Sequence, residues 1–166
     1  MAEDLNAVAD GKVEVEGLRL ADYDMVERVK ELDASKTYRH AVEFDADVSD
    51  AELTDAIGEI DGATVEQDTP QRVDHRRASK TRTREVLSAS VDREDARHTT
   101  VEIHGEGGLY IKELISSDEG RTEPSLAGRP GVEATVTALD VLAVKGTEDP
   151  SAPEDFFLAT AAELTD

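Results

Sequence analysis

Several short stretches of the chain alternate apolar and polar side chains with the two-residue period of a β-strand. This alternation predicts strands at residues 12–20, 36–44, 63–67, 83–92, 98–104 and 132–145. Apolar residues at helical spacing predict two helices, one over 21–33 capped by Asp22 and one that begins at Ser49 or Asp50 and ends at Ile60. Strands and helices in this irregular order predict an α+β fold with a mainly antiparallel sheet.

The ends of the chain differ in pattern from its middle. Residues 1–10 are predicted to be a loose lead-in, residues 11–146 a domain or part of one, and residues 147–166 an acidic tail. The first residues lack the basic start and apolar run of a signal peptide, and no apolar stretch reaches the roughly 18 residues of a membrane span. The sequence therefore predicts a cytoplasmic protein with no membrane partner.

Acidic residues dominate the composition, with 39 Asp and Glu against 18 Lys and Arg and a net charge of −21. They are spread along the chain between periodic apolar positions, which is not typical of disorder. This pattern indicates the surface of a halophile's protein, because salt of about 1 M shortens the Debye length to about 3 Å and screens the self-repulsion. The acidity therefore does not exclude a nucleic-acid partner.

One short segment, Gln67 to Arg84, runs against the acidic background. It holds six of the chain's 18 Lys and Arg residues, namely Arg72, Arg76, Arg77, Lys80, Arg82 and Arg84. Two interpretations stay equally open. Either the cations bind a phosphate-rich partner, or carboxylates elsewhere in the fold pair with them.

Motifs of enzyme chemistry are otherwise sparse. The segment Gly105–Gly108 is wrongly spaced for a phosphate-binding loop and is predicted to be a hairpin turn. The absence of cysteine excludes disulfides, cysteine-ligated zinc and a thiol nucleophile. No metal-ligand spacing connects the histidines, which are His40, His75, His98 and His104.

Two side chains have contexts that suit RNA. Tyr38 lies between Lys36 and Arg39, so its ring either packs half-buried on a strand or stacks on a nucleobase. His75 lies inside the basic segment, where it either contacts a base or phosphate or is an ordinary surface histidine.

The blocks KVEVEGL, SKTYRHAV, QDTPQRVDHRRASKTR, GLYIKELISSDEGRTEPS and ALDVLAV, taken in this order, resemble the archaeal tRNA pseudouridine synthases that act on T-loop uridines. The resemblance extends from Gly11 to about Lys145, and RVDHRRA and LYIKELIS are its specific parts. It implies the pseudouridine synthase fold, in which helices flank an antiparallel sheet crossed by an RNA-binding cleft. It also implies tRNA as a partner and no metal or organic cofactor.

Three residues match the family's active site. The resemblance implies that Tyr38 lies against the target base, that Lys112 pairs with the catalytic aspartate, and that Leu139 packs beneath the site. The RVDHRRA block corresponds to a basic loop near the tRNA. Its three arginines and the nearby Lys80 are expected to face solvent on one surface near Tyr38 and Lys112; these four are Arg72, Arg76, Arg77 and Lys80. The residues expected to bind RNA are Arg72, His75, Arg76, Arg77, Lys80, Arg82 and Arg84.

The family's essential aspartate lies in a block resembling AGREDxDVRM, and no such block occurs here; neither Asp4 nor Asp10 is assigned its role. The expectation is therefore the carboxy-terminal part of the enzyme, inactive alone, with the missing upstream half as a possible partner. One alternative is a non-catalytic RNA-binding module. Another is an acidic structural or partner-binding domain.

Overall fold

The computed structural model describes residues 1–16, 18, 23–24, 26–27 and 34–145, and the chain divides into two units. The first unit spans Met1–Leu32 together with Glu148–Asp166, and the second spans Asp33–Thr147. The predicted acidic tail at 147–166 and most of the predicted helix at 21–33 lie outside the described residues.

In the first unit, helix α1 (Ala2–Ala9) forms where a loose lead-in was expected. The described residues of the predicted strand at 12–20, which are 12–16 and 18, are not in a strand, so that prediction is wrong there. The side chain of Asn6 accounts for this difference. The amide of Asn6 receives the backbone N–H of Val15 at 2.7 Å and donates to its carbonyl at 3.0 Å, which occupies the groups that a strand would pair.

The second unit is a sheet with short helices. Its elements are β1 (Ser35–Phe44), α2 (Asp50–Ile60), β2 (Thr64–Gln67), α3 (Gln71–Asp74), β3 (Arg82–Arg93), β4 (His98–Gly105), α4 (Ile111–Ser116), β5 (Thr122–Glu123) and β6 (Ala134–Lys145). The strands pair antiparallel in the order β5-β2-β3-β4-β1-β6. The predicted α+β fold with an antiparallel sheet is confirmed.

Helix α2 begins where the sequence predicts. The hydroxyl of Ser49 accepts the backbone N–H of Glu52, and the Glu52 carboxylate accepts the backbone N–H of Ser49 at 2.9 Å. This reciprocal capping box satisfies backbone donors that the first turn of a helix leaves free. The inner face of α2 is buried on the sheet through Leu53, Ala56 and Ile60.

The core lies between one face of the sheet and the helices. Alternate residues of β4 are buried, including Val101 and Ile103, and α4 contributes Leu114 and Ile115, all without exposed surface. The glycine-rich segment 105–108 is not a hairpin turn, because it leads from β4 into α4. A Cβ at Gly105 would collide with the side chain of Leu109, so the strand ends where this leucine folds back onto it.

Candidate RNA-modification site

A half-buried aromatic and apolar wall lies on the inner face of β1. Tyr38 and His40 are two residues apart on this strand and therefore share a face, with ring centroids 6.0 Å apart. Leu139 of β6 lies directly opposite His40 in the strand register. Tyr38 and Leu139 are both partly buried and pack against the core. The strands thus bring together two of the three predicted site residues.

Burial favours the uncharged forms of the two ionisable side chains in this wall, Tyr38 and His40. It raises the pKa of Tyr38, so the phenol keeps its proton at neutral pH. It lowers the pKa of His40, whose side chain has no exposed surface. The Nδ1 atom of His40 donates to the Val101 carbonyl at 3.4 Å, and Nε2 has no hydrogen-bond partner among the described residues.

Lys112 lies in the first turn of α4, and this helix packs against β6. Its side chain is exposed, and no ion pair of this lysine is found within the described part of the chain. Its positive charge lowers the pKa of His40 further, which places the ammonium within electrostatic range of the wall. The third predicted site residue therefore acts electrostatically on the buried ring of His40.

His40 was missed by sequence reasoning, which considered it only as a metal ligand. The available signal was its position two residues after Tyr38 on a predicted strand, because that spacing puts both side chains on one face. Within the described residues, no group of three or more His, Asp or Glu is placed to hold a metal ion.

The basic segment divides into two groups of cations. The first group is bound into the fold and begins with Arg72. Its guanidinium forms two hydrogen bonds with the carboxylate of Glu113 on α4, at 2.6 and 3.2 Å. The Glu113 side chain is only 5% exposed, and this contact raises the pKa of Arg72. Arg72 is 52% exposed, as expected, but its guanidinium is already paired with a carboxylate that α4 supplies.

Two further arginines belong to the bound group. Arg82 lies 5.6 Å from the centre of the Tyr110 ring, which Arg72 also approaches at 6.0 Å. Arg84 donates from Nε to the Gly107 carbonyl at 2.9 Å and so holds the turn that precedes α4.

A buried glutamine holds the backbone of Tyr110, whose ring lies near both Arg72 and Arg82. The Gln67 side chain donates to the carbonyl of Tyr110 at 2.9 Å and accepts its N–H at 2.8 Å. Its amide therefore makes the pair of hydrogen bonds that a neighbouring strand would make. Gln67 and Glu113 were not predicted, because their partners are distant in the sequence.

The second group of cations comprises Arg76, Arg77 and Lys80; His75 lies beside them, and all four side chains are exposed. Among the described residues, none of them is in an ion pair or a side-chain hydrogen bond. These side chains are available to a ligand, whereas those of the first group are occupied. Both interpretations of the basic segment are therefore represented in the structure, on different residues.

A cleft of about 710 Å³ lies elsewhere in this unit, between α2 and the β2–β5 edge of the sheet. Its wall carries Glu59, Glu66 and Glu123, and its arginine, Arg129, is bonded to Glu59 at 2.6 Å. None of the predicted site residues lines it, and its acidic wall does not suit a phosphate.

Among the helices of the described residues, none has the length and apolar character to cross a bilayer.

Comparison with known proteins identifies the family. Residues 1–145 match the family model described as "Pus10, C-terminal". The chain is 68% identical over 154 residues to the tRNA pseudouridine synthase Pus10 of Halorubrum lacusprofundi, covering 93% of this chain and 36% of that protein. It is 43% identical over 146 residues to the protein of the same name from Methanothrix thermoacetophila, covering 88% and 32%. The chain thus spans about a third of the length of these relatives.

Solved structures support the fold alone. A protein in the crystal structure of a Cbf5-Nop10-Gar1 complex aligns with a TM-score of 0.58 at 24% identity, over 72% of this chain and 34% of that one. The predicted resemblance to archaeal tRNA pseudouridine synthases is confirmed by these matches, and a halophilic relative accords with the acidic composition. The chain belongs to the Pus10 C-terminal family.

Proposed function

We propose that this chain is the carboxy-terminal part of the catalytic domain of a tRNA pseudouridine synthase, acting on a T-loop uridine in the cytoplasm. In this proposal it supplies the wall of the base pocket and the RNA-binding cations. The attacking carboxylate comes from an upstream portion of the enzyme, because no block resembling AGREDxDVRM occurs in the sequence.

The observation that carries the proposal is the wall formed by Tyr38 and Leu139 with Lys112 within electrostatic range of it. Pseudouridine formation breaks the bond from the ribose carbon to uracil N1, turns the ring and forms a bond from the same carbon to C5. C5 then loses its proton and N1 ends with one, so the atoms balance. The detached uracil must stay in a pocket that prevents its escape. A protonated phenol and a leucine present aromatic and apolar surface to it without adding charge.

Lys112 has a separate role in this proposal. A carboxylate beside an apolar wall is pushed towards its protonated form by loss of solvation, which would make it a poor nucleophile or base. An ammonium group a few ångströms away favours the ionised form. The exposed Lys112 has no ion-pair partner among the described residues, so it is available for such a carboxylate.

The tRNA would be held by the second group of cations, Arg76 and Arg77 above all. Counterion release contributes little to binding in molar salt, so these residues must act through the geometry of their guanidinium groups on phosphate oxygens. A non-catalytic RNA-binding module is the second candidate, and the same unpaired cations favour it.

Tritium release from tRNA carrying [5-³H]uridine, measured in concentrated potassium chloride, tests the proposal. We expect the chain alone to bind tRNA without releasing tritium, and to release it when mixed with the upstream portion of the Halorubrum relative. In this mixture Tyr38→Ala should reduce release by about a hundredfold or more, the scale expected for a misplaced substrate.

Arg39→Gln is the matched control, because Arg39 is the next residue of β1, faces solvent and pairs with Glu102 at 3.2 Å. Its release should equal that of the unaltered chain. Release by the chain alone would overturn the division of labour. Binding of tRNA without release in any mixture would leave the RNA-binding module as the better account.

A further inference from the structure

The second group of cations occurs in one loop, residues 68–81, which joins β2 to β3. The last backbone pair at its base is Gln67 with Arg82. Beyond that pair the backbone ladder stops: the N–H of Asp68 donates to the Arg121 carbonyl at 2.8 Å, and Pro70 has no N–H to donate. A loop of this length with exposed cations at its tip would be mobile if nothing else closed it.

Side chains close the base of the loop. Thr69 is 1% exposed, and its hydroxyl lies 2.9 Å from the Ala78 carbonyl, to which it donates. The same oxygen accepts the backbone N–H of Lys80 at 3.0 Å. One residue closer to the strands, the hydroxyl of Thr81 donates to the carboxylate of Asp68 at 2.6 Å. These bonds continue the pairing of the two strands where the backbone alone cannot.

The other arm of the loop is held independently. The backbone N–H of Gln71 donates to the carboxylate of Asp118 at 3.0 Å, and Arg72 binds Glu113. Val73 is buried. One arm is attached to α4 and the turn after it, and the other arm is attached to Thr69. The tip, His75 to Arg77, lies between them, and its side chains have no hydrogen-bond or ion-pair partner among the described residues.

We propose that Thr69 is a positioning residue for RNA binding, whose buried hydroxyl holds the returning arm of the loop so that Arg76 and Arg77 are presented in a fixed arrangement. This inference rests on the proposed RNA-binding function of the tip. Its physical basis is pre-organisation, since a loop ordered before binding loses less conformational entropy when the RNA arrives. Thr69 itself does not touch the RNA.

The decisive experiment is a set of tRNA affinities measured in concentrated potassium chloride with the full chain. Thr69→Val keeps the shape and removes the hydroxyl with its hydrogen bonds to Ala78 and Lys80, and it should weaken tRNA binding by about tenfold. Thr69→Ser keeps the hydroxyl and should restore affinity to within about twofold. Thr83→Val, the same change at an exposed threonine of β3, should have no effect.

A double-mutant cycle separates positioning from general stability. In a chain already carrying Arg76→Gln and Arg77→Gln, Thr69→Val should cause no further loss of affinity, because the tip it positions no longer binds phosphate. An undiminished effect in that background, no effect in the unaltered chain, or failure of Ser to restore binding would each overturn the inference. No effect of the two Gln replacements themselves would instead overturn the proposed function of the tip.

Hydrogen exchange covers the case in which Thr69→Val does not fold. In the unaltered chain the amide of Lys80 should exchange more slowly than that of Arg77, because it donates to Thr69. Equal rates at these two amides would show that the hydroxyl does not hold the arm and would overturn the inference.

Discussion

The bound and the free cations of the basic segment lie within a few residues of one another, yet their surroundings differ completely. Arg72 contacts a buried carboxylate, and Arg82 faces the ring of Tyr110. Arg76 and Arg77 extend into solvent with no partner among the described residues. A dense run of positive charge is therefore not one functional unit. The residues that hold α4 in place and those available to an RNA differ in what each guanidinium touches.

The largest expected effect comes from breaking the ion pair between Arg72 and Glu113 in the bound group. Arg72→Gln leaves the carboxylate of Glu113 buried without its cation, and we expect it to lower the free energy of unfolding by about 2–3 kcal/mol. This is below the usual cost of a broken buried pair, because Arg72 itself is 52% exposed and partly screened. Urea denaturation at a fixed salt concentration measures this change in the free energy of unfolding.

Arg76→Gln is the control for this prediction and should change stability by less than about 0.5 kcal/mol. Restoring neutrality with Arg72→Gln and Glu113→Gln together should recover part of the loss, since no charge is then left buried. Equal stability of the Arg72 and Arg76 variants would remove the distinction between the two groups.

The next effect concerns the free group and appears in the salt dependence of tRNA binding. Affinity falls as salt rises, and each phosphate contact removed should make the plot of log affinity against log salt less steep by about 0.7–0.9. Arg76→Gln with Arg77→Gln should therefore make it less steep by about 1.5. Arg84→Gln removes one positive charge from the bound group and should leave the slope unchanged. A slope that responds to Arg84 and not to the tip would reverse the two assignments.

The smallest effect extends the comparison of buried and exposed groups to two histidines. Burial lowers the pKa of His40, so the unfolded chain takes up a proton more readily and stability falls as pH drops below about 6.5. The bond to Asp95 raises the pKa of the exposed His98, whose contribution is present below about 6.5 and is lost as pH rises through its folded value.

Urea midpoints measured at about pH 5.5 and about pH 7.5 test these signs. His40→Phe should reduce the loss of stability at the lower pH, whereas His98→Gln should reduce the loss at the higher pH. An imidazole titration of His40 by NMR that gives an ordinary or raised pKa would contradict the neutral, buried state.

Local patterns predicted the parts of the fold that are decided locally. Alternation along 36–44 and 132–145 predicted β1 and β6, and Ser49 predicted the start of α2, because period and capping depend on near neighbours. The predicted hairpin at Gly105–Gly108 was wrong because the packing of Leu109 onto Gly105 decides where the chain goes next.

The candidate site divides in the same way. Tyr38, Lys112 and Leu139 were found through the family resemblance, and their roles stay predictions. His40 and Glu113 depend on partners that only the folded chain supplies. Arg72 and Glu113 are 41 residues apart, and one sequence does not say which carboxylate meets which guanidinium.

The amide of Gln67 has a consequence for how such a chain can change over generations. A single-nucleotide change turns a glutamine codon into one for glutamate, and the acidic composition shows that carboxylates are otherwise accepted widely along the sequence. At this position a carboxylate would offer acceptors where the Tyr110 carbonyl needs a donor, in a place with no exposed surface. Acidification that suits a protein in concentrated salt would therefore be excluded at this codon, although a single mutation can reach it.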